Sequence, residues 1–328
     1  LFNMKNKNII YVVILIIILI VINVAFFKII LKDFKSEEIT NNVYNPIINP
    51  LDFISDVNNK YFTLIPGTKY VYEAQTKEGK EHIEVYITNE RKEVLGISTI
   101  VVWDRVWLDS NLIEDTKDWY AQDKQGNVWY FGEESKELID GIIVSYEGSW
   151  EAGIDGAKPG IVMKANPKIG DIYRQEYYQG KAEDMGQVLA LEESVNVPYG
   201  IFNNCLKTKD WNPLEPGNEE NKYYCPDVNF VVLEVGIEDG ERVELIKIER
   251  NSEPSPSIIP QVQEIKTQIT EEQAKEIALK RIPGKVINVV LEKKFGKITF
   301  VVEINADNGP ETDVIIDIDT GEILGIEI

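Results

Sequence analysis

Thr270-Glu-Glu-Gln-Ala-Lys-Glu-Ile-Ala-Leu-Lys-Arg-Ile-Pro-Gly284 carries both ends of one short helix. Thr270 followed three residues later by Gln273 is a capping box, in which each side chain accepts an otherwise unpaired amide hydrogen of the other residue. Ala274, Ile277, Ala278 and Arg281 recur at helical spacing, and Pro283-Gly284 stops the helix. Downstream the period changes to two. Lys285–Glu292 reads as a strand, Phe295-Gly296 as a turn, and Ile298, Phe300, Val302 and Ile304 share one face of the next strand. Asn308-Gly309-Pro310 turns into Thr312–Asp319, and Thr320-Gly321 makes a tight turn before Glu322–Ile328. One helix followed by a four-stranded antiparallel sheet is predicted for 269–328.

Three pieces of this segment together resemble the PepSY family: Ile269-Thr-Glu-Glu-Gln-Ala-Lys-Glu-Ile-Ala-Leu, Pro283-Gly284-Lys-Val, and Asp317-Ile-Asp319-Thr320-Gly321-Glu322-Ile-Leu. The last is the most distinctive, so Asp317, Asp319, Thr320, Gly321 and Glu322 are taken as the signature. PepSY modules occur in propeptides of thermolysin-like metalloproteases and as free-standing extracytoplasmic domains. The resemblance implies protein recognition, including modulation of a secreted protease. This chain lacks the His-Glu-x-x-His helix of those precursors, and its one histidine is His82. Any protease it modulates is therefore another molecule.

Residues 251–268 are rich in Ser and Pro (Ser252-Glu-Pro254-Ser-Pro256-Ser, Pro260) and read as a linker. Before it, 61–250 reads as a β-rich extracytoplasmic domain. Alternating segments recur between Gly, Pro and Asn: Lys69–Ala74, His82–Thr88, Gly96–Leu108, Asn127–Phe131, Ile142–Trp150, Asp171–Tyr178, Gln187–Val197, Ile201–Thr208, Asn229–Val235 and Arg242–Ile248. The fold class expected is mostly β, with an antiparallel sandwich or open barrel as the body and no amphipathic helix in it. One tetrapeptide occurs twice, Thr116-Lys-Asp-Trp119 and Thr208-Lys-Asp-Trp211, each followed by a Gly-containing turn and an aromatic pair (Trp129-Tyr130, Tyr223-Tyr224). Two similar hairpins in one sheet would produce this echo. The same body segment resembles a group of uncharacterised secreted prokaryotic proteins, a likeness that implies no activity.

Residues 36–60, with Asn41-Asn42, Asn45-Pro46 and Asn49-Pro50, read as a stalk. Residues 1–35 read as a short cytoplasmic head and a transmembrane helix. Ile9–Phe27 contains one strongly polar residue, Asn23, and as a helix would span about 28 Å, close to the roughly 30 Å hydrocarbon core. The surroundings of Ala25 make a poor cleavage site, so an uncleaved single-pass anchor is expected; a cleaved leader and a buried core helix are the alternatives. Lys28, Lys32 and Lys35 follow the span, so lysine counting does not orient it; the short head favours an exported C-terminal body.

The chain has 328 residues, 34 of them Lys or Arg and 55 Asp or Glu. Its net charge of −21 repels phosphate backbones, which argues against nucleic-acid binding and favours cations or basic partners.

The residues that could carry chemistry are few. His82 lies beside Glu81 and Glu84 and reads as a surface histidine. Cys205 and Cys225 lie symmetrically about Glu215, within a turn-rich stretch, Trp211-Asn-Pro-Leu-Glu-Pro-Gly-Asn218. A hairpin centred there sets the two cysteines opposite each other, so a disulfide is expected, with two buried free thiols as the alternative. Glu151 and Asp155, then Glu176 and Glu183-Asp184, gather near Trp150, an arrangement a glycosidase could use, but chance adjacency among 55 acids explains it better. Asp313, Asp317, Asp319 and Glu322 could draw calcium, yet a solvated strand face and a turn account for them. No catalytic residue, cofactor or metal site is predicted. The expectation is a binding or regulatory protein rather than an enzyme, acting through the PepSY module. A small-molecule or envelope-ligand receptor with an aromatic-lined concavity in the β-body is the first alternative, and a carboxylate-dependent hydrolase the second.

Overall fold

A computed structural model describes residues 44–251, 263–264 and 267–328. The anchor expected over Ile9–Phe27, the first part of the stalk and most of the linker lie outside these residues. No helix among the described residues is long and apolar enough to cross a membrane. Pro46–Ile328 form one compact unit.

The body is built almost wholly of strands: β1 (Thr68–Gln75), β2 (Lys80–Val94), β3 (Ile97–Leu108), β4 (Asn111–Asp123), β5 (Val128–Glu134), β6 (Lys158–Met163), β7 (Ile172–Arg174), β8 (Glu176–Tyr177), β9 (Met185–Val197), β10 (Gly200–Trp211), β11 (Glu219–Cys225), β12 (Phe230–Gly236) and β13 (Arg242–Arg250). From β1 to β6 each strand pairs antiparallel with the next. β6 then pairs with β8, and β7 pairs with β9. From β9 to β13 the meander resumes, and β13 pairs back onto β1, Ile248 opposite Tyr70. The pairings run almost round the body, and the step from β8 to β7 passes through Gln175 of the chain. β6 meets β8 at Lys158 and Pro159, and β9 meets β7 at Met185, Gly186 and Gln187, so the strands form a nearly continuous ring rather than two separate sheets. Gly160 makes the hand-over from β6 to β8 possible: a Cβ there would lie 2.3 Å from the carbonyl carbon of Gln175.

Tight turns set the register. Leu95-Gly96 (φ 53° and 76°) joins β2 to β3, and Asp109-Ser110 (φ 46° and 74°) joins β3 to β4. Both are two-residue turns with positive φ at each position, whose twist matches that of the strands they join. Two apolar cores result. Tyr70, Tyr72, Val85, Ile87, Ile100, Val102, Leu206 and Phe230 belong to one. Val94, Ile97, Val101, Trp119, Phe131 and Trp150 belong to the other. Ile100 and Val102 alternate with Val101 along β3, which is therefore buried on both faces.

The stalk expected over 36–60 ends earlier than its Asn-Pro pairs suggest. Phe53-Ile54 pairs with Asp123-Gln122 of β4, and the Phe53 ring meets Phe131 and Trp129 edge-on at 5.5 and 6.3 Å. Val57 is buried, and Asn58 and Gln122 exchange two hydrogen bonds of 2.8 Å. The asparagines and prolines make the turns, while the apolar residues between them enter the core. The linker is also tied to the body at one point, where Gln263-Glu264 pairs in parallel with Ile142-Ile143.

The C-terminal segment forms α1 (Glu271–Arg281), β14 (Gly284–Lys294), β15 (Lys297–Ala306), β16 (Glu311–Asp317) and β17 (Ile323–Glu327). The four strands pair antiparallel in chain order. The capping box is formed: Thr270 N–H donates to Gln273 Oε1 at 2.7 Å, and Gln273 N–H donates to Thr270 Oγ1 at 3.2 Å. Ala274 and Ala278 are fully buried against Phe300, Val302, Ile304, Val314 and Ile316. Their small side chains allow the helix to approach the sheet closely.

The signature turn differs from a solvated acidic face. Asp317 is buried and ends β16, whereas Asp319 is exposed in the turn beyond it. The Asp317 carboxylate accepts the backbone N–H groups of Asp319 and Thr320, both at 3.0 Å, and a charge-assisted bond from Lys297 Nζ at 2.6 Å. The Lys297 bond and then these amides hold its pKa down to about 2. Gly321 (φ 72°) closes the turn, its N–H donating to Asp317 O at 2.9 Å. These signature residues are a structural turn.

Candidate functional site

The inward residues of the ring do not fill it. They leave a cavity of about 330 Å³, the lower end of the range for small-molecule sites. Its apolar wall includes Phe62, Val85, Val102, Phe230 and the rings of Tyr72, Tyr120, Tyr130 and Tyr224. Carboxyls also point into it: Asp104 from β3, Glu114 and Asp118 from β4, Glu176 from β8, Asp184, Asp210 from β10 and Glu234 from β12. Lys222 of β11 is the one basic residue in the lining.

Strand alternation explains how these residues meet. Val102, Asp104 and Val106 share the inward face of β3. Across the ladders Val102 lies opposite Asp118, and Lys222 lies opposite Glu234. The repeated tetrapeptide delivers equivalent residues from two places in the ring. Asp118 and Asp210 both line the cavity, as do Tyr130 and Tyr224, the second members of the two aromatic pairs. Each of these aspartates also faces a glutamate on the next strand, Glu133 for Asp118 and Glu220 for Asp210. The echo in the sequence is thus two strand pairs supplying one site.

Lys222 Nζ is held 3.0 Å from Glu220 and 3.8 Å from Glu234, and these carboxylates push its pKa upward against its burial. Among the described residues, Asp104, Asp118, Glu176, Asp184 and Asp210 have no salt bridge. Asp118 accepts a 2.7 Å hydrogen bond from the Tyr130 hydroxyl, and Asp210 Oδ2 accepts one of 2.9 Å from Gln175 Nε2. The Oδ1 atoms of Asp104, Asp184 and Asp210 are buried without a hydrogen-bond partner.

Burial in this setting raises carboxyl pKa values, because a charge removed from water needs compensation. Asp184 rises to about 6, Asp118 and Glu234 to about 7, and Glu176 to about 8, burial being the first cause in each case. Glu133, behind Asp118, rises to about 9 through burial and the neighbouring Asp118 charge. Asp104 rises as well.

The other candidates fall elsewhere. Of the acids near Trp150, Glu176 and Asp184 line the cavity, whereas Glu151 pairs with Lys92 at 2.9 Å and Asp155 is exposed. Glu183 pairs with Arg174 at 3.5 Å. His82 is a partly exposed residue: its ring lies 5.5 Å from that of Trp107, and Nε2 lies 3.7 Å from Glu84. Glu84 is itself buried between Lys69 and Arg105, and Arg105 stacks 4.1 Å from the Trp103 ring. Cys205 and Cys225 form a disulfide inside the main core, across the β10–β11 hairpin. Asp104, Glu114, Asp118, Asp210, Lys222 and Glu234 were not anticipated as a site. The repeated tetrapeptide was the available signal, since it marked two of them.

Comparison with known proteins places the C-terminal segment. The PepSY family (Peptidase propeptide and YPEB domain) matches residues 268–327. No curated protein sequence matches the chain. Two solved structures are similar, both described as a "putative lipoprotein". One, from Parabacteroides distasonis, is 11% identical, covering 58% of this chain and 98% of its own, with a TM-score of 0.33. The other, from Clostridium difficile, is 17% identical, covering 44% and 79%, with a TM-score of 0.18. Similarity at this level carries no argument about the body. The family match agrees with the helix, the four antiparallel strands and the Asp317–Gly321 turn, and residues 268–327 are a PepSY domain.

Proposed function

We propose that this protein is an extracytoplasmic binding protein held at the membrane by its N-terminal segment, and that its β-body takes a small molecule into the cavity. The observation that supports this reading most is the cavity itself. A ring of strands of this size normally fills its interior with side chains; this one leaves about 330 Å³ and turns several carboxyls without salt bridges into it. Such groups lower the stability of the fold, and a ligand is the simplest reason to keep them. Binding rather than catalysis is proposed.

A thermal-shift screen of small molecules tests the reading, with tryptophan fluorescence as the readout. All six tryptophans lie between residues 103 and 211, so the signal reports the body alone. At least one chemical class should raise the unfolding temperature, and narrowing the cavity with Val243→Trp should remove the effect. No shift with any class, or equal shifts in the variant, would end the cavity reading.

The family match supports a second role for the PepSY domain, the recognition of an extracytoplasmic protease. Pull-down of co-secreted metalloproteases by the full-length chain, followed by inhibition assays, tests it. The carboxyls of the cavity also keep hydrolysis in view, since Glu176, with a pKa of about 8, is protonated at neutral pH as a general acid must be. Turnover of aryl glycosides, lost in Glu176→Gln, would move the protein to that class.

A further inference from the structure

We propose that the ligand of the β-body cavity is an organic cation, an amine or polyamine of about ten non-hydrogen atoms. This inference rests on the binding reading above and names the chemistry of the same site.

Charge is the first argument. The only basic residue in the lining, Lys222, is already met by Glu220 and Glu234. Asp104, Asp118, Asp184 and Asp210 share the field of that one lysine with the two glutamates, and neither they nor Glu176 has a salt bridge among the described residues. An anionic ligand would add charge of the same sign to those that ionise, and a neutral one would leave them either protonated or uncompensated, whereas a cation favours the ionised form.

The second argument is a poorly paired acceptor. Asp210 is only 6% exposed and lines the cavity; its carboxyl has the Thr208 hydroxyl nearby, but Oδ1 has no well-aligned hydrogen bond. A buried acceptor left poorly paired is costly, and a ligand N–H is the complement it lacks. An ammonium group carries only donors, so it suits a lining whose charged groups are carboxyls but for one lysine.

Shape separates organic cations from metal ions. Among the described residues no three Asp, Glu, His or Cys side chains come together closely enough to hold a metal. The carboxyls instead come from separate strands around a volume large enough for about ten waters at roughly 30 Å³ each. Tyrosine rings lie between them, and aromatic faces attract ammonium groups at short range. A wall with spaced carboxyls and aromatic surface fits a ligand with spaced positive charges on an alkyl frame.

The test is calorimetric titration of the detergent-solubilised full-length protein at 150 mM salt with spermidine, and in parallel with 1,8-octanediol and suberate as neutral and anionic probes of similar length. Spermidine should bind with one-site stoichiometry. Asp210→Asn and Val243→Trp should each weaken it at least tenfold, whereas Asp239→Asn, outside the cavity, should leave it unchanged. Equal binding in all variants would mean that spermidine only coats an acidic surface, and would overturn the proposal. Cavity-dependent binding of suberate or octanediol without spermidine would overturn the cation and leave the receptor reading standing. Absence of binding by all three probes would overturn the cation, while the wider screen would decide the receptor reading separately.

Discussion

A carboxyl in the position of Asp118 is costly to ionise. It is 8% exposed, has one hydrogen bond from Tyr130 and no salt bridge, and burial raises its pKa to about 7. In an unfolded chain the same group titrates near 4. Between those two values the folded state holds a proton that the unfolded state releases, so stability falls as pH rises from about 4 to about 7 and stays lower above. Asp184, Glu234 and Glu176 act in the same direction, extending the window to about pH 8. The ligand-free body should therefore unfold at a lower denaturant concentration at pH 8.5 than at pH 5. Asp118→Asn keeps an oxygen to accept the Tyr130 hydrogen bond and cannot ionise. It should stabilise the body by roughly 1–3 kcal/mol at pH 8, a shift of one pKa unit being worth about 1.4 kcal/mol, and give no gain near pH 4. A gain that is the same at both pH values would place the effect in packing instead. PepSY residue Asp317 has the opposite sign: its carboxylate is held at about 2, so its contribution is present above about pH 4 and is lost as pH falls toward 2.

Strands whose inward residues were apolar were legible; those that build the cavity were not. Lys69–Ala74, His82–Thr88 and Gly96–Leu108 alternate clearly and fall on β1, β2 and β3, Gly96 being the turn residue that precedes β3. β4 and β11 are absent from the run of alternating segments and are reached only through the repeated tetrapeptide and the hairpin that sets Cys205 opposite Cys225. Asn111-Leu-Ile-Glu-Asp-Thr-Lys-Asp118 and Glu219-Glu-Asn-Lys222 carry Glu114, Asp118 and Lys222 where a core strand would carry valine, so their composition resembles a loop. The turn into β4, Asp109-Ser110, also lacks the glycine that marks Leu95-Gly96 and Phe295-Gly296. Local rules thus failed where residues serve the cavity instead of the core. Two elements give direct tests. Joining β10 to β11, the Cys205–Cys225 disulfide closes a separation of 20 residues, for which the loop-entropy relation gives about 3 kcal/mol. The double variant Cys205→Ala, Cys225→Ala should lose roughly 2–4 kcal/mol in denaturant titration, and the oxidised wild type should show no alkylatable thiol. At the β6–β8 hand-over, Gly160→Ala would place a Cβ against the backbone of Arg174 and Gln175 at 2.3–2.6 Å. Overpacking of this kind costs roughly 1–3 kcal/mol or more, and the circular-dichroism midpoint should drop accordingly.

At the scale of the whole molecule, each apolar cluster belongs either to the body or to the PepSY domain. Val302, Ile304, Val314 and Ile316 pack on Ala274 and Ala278 without any residue of the ring among them. Between the two parts, the described contacts are polar or slight: the two-residue pairing of Gln263-Glu264 with Ile142-Ile143, and a Lys293–Asp140 salt bridge with both side chains about half exposed. Exposed pairs of this kind contribute about 0–1 kcal/mol. Ending the chain after Arg250 should therefore leave the tryptophan-reported unfolding of the body within about 1 kcal/mol of its full-length value. The complementary fragment, 267–328, has no tyrosine or tryptophan and is best followed by far-ultraviolet circular dichroism. It is near the lower size for an unaided core, so a cooperative but shallow transition is expected. Val301 and Ile315 are buried on the sheet face away from the helix and lie outside the helix-facing core, so excision tests that face specifically. A fragment that folds with new exposure there would bind a hydrophobic dye in its native baseline. A fragment that does not fold, paired with a body destabilised by more than 3 kcal/mol, would show that the two parts share one cooperative core.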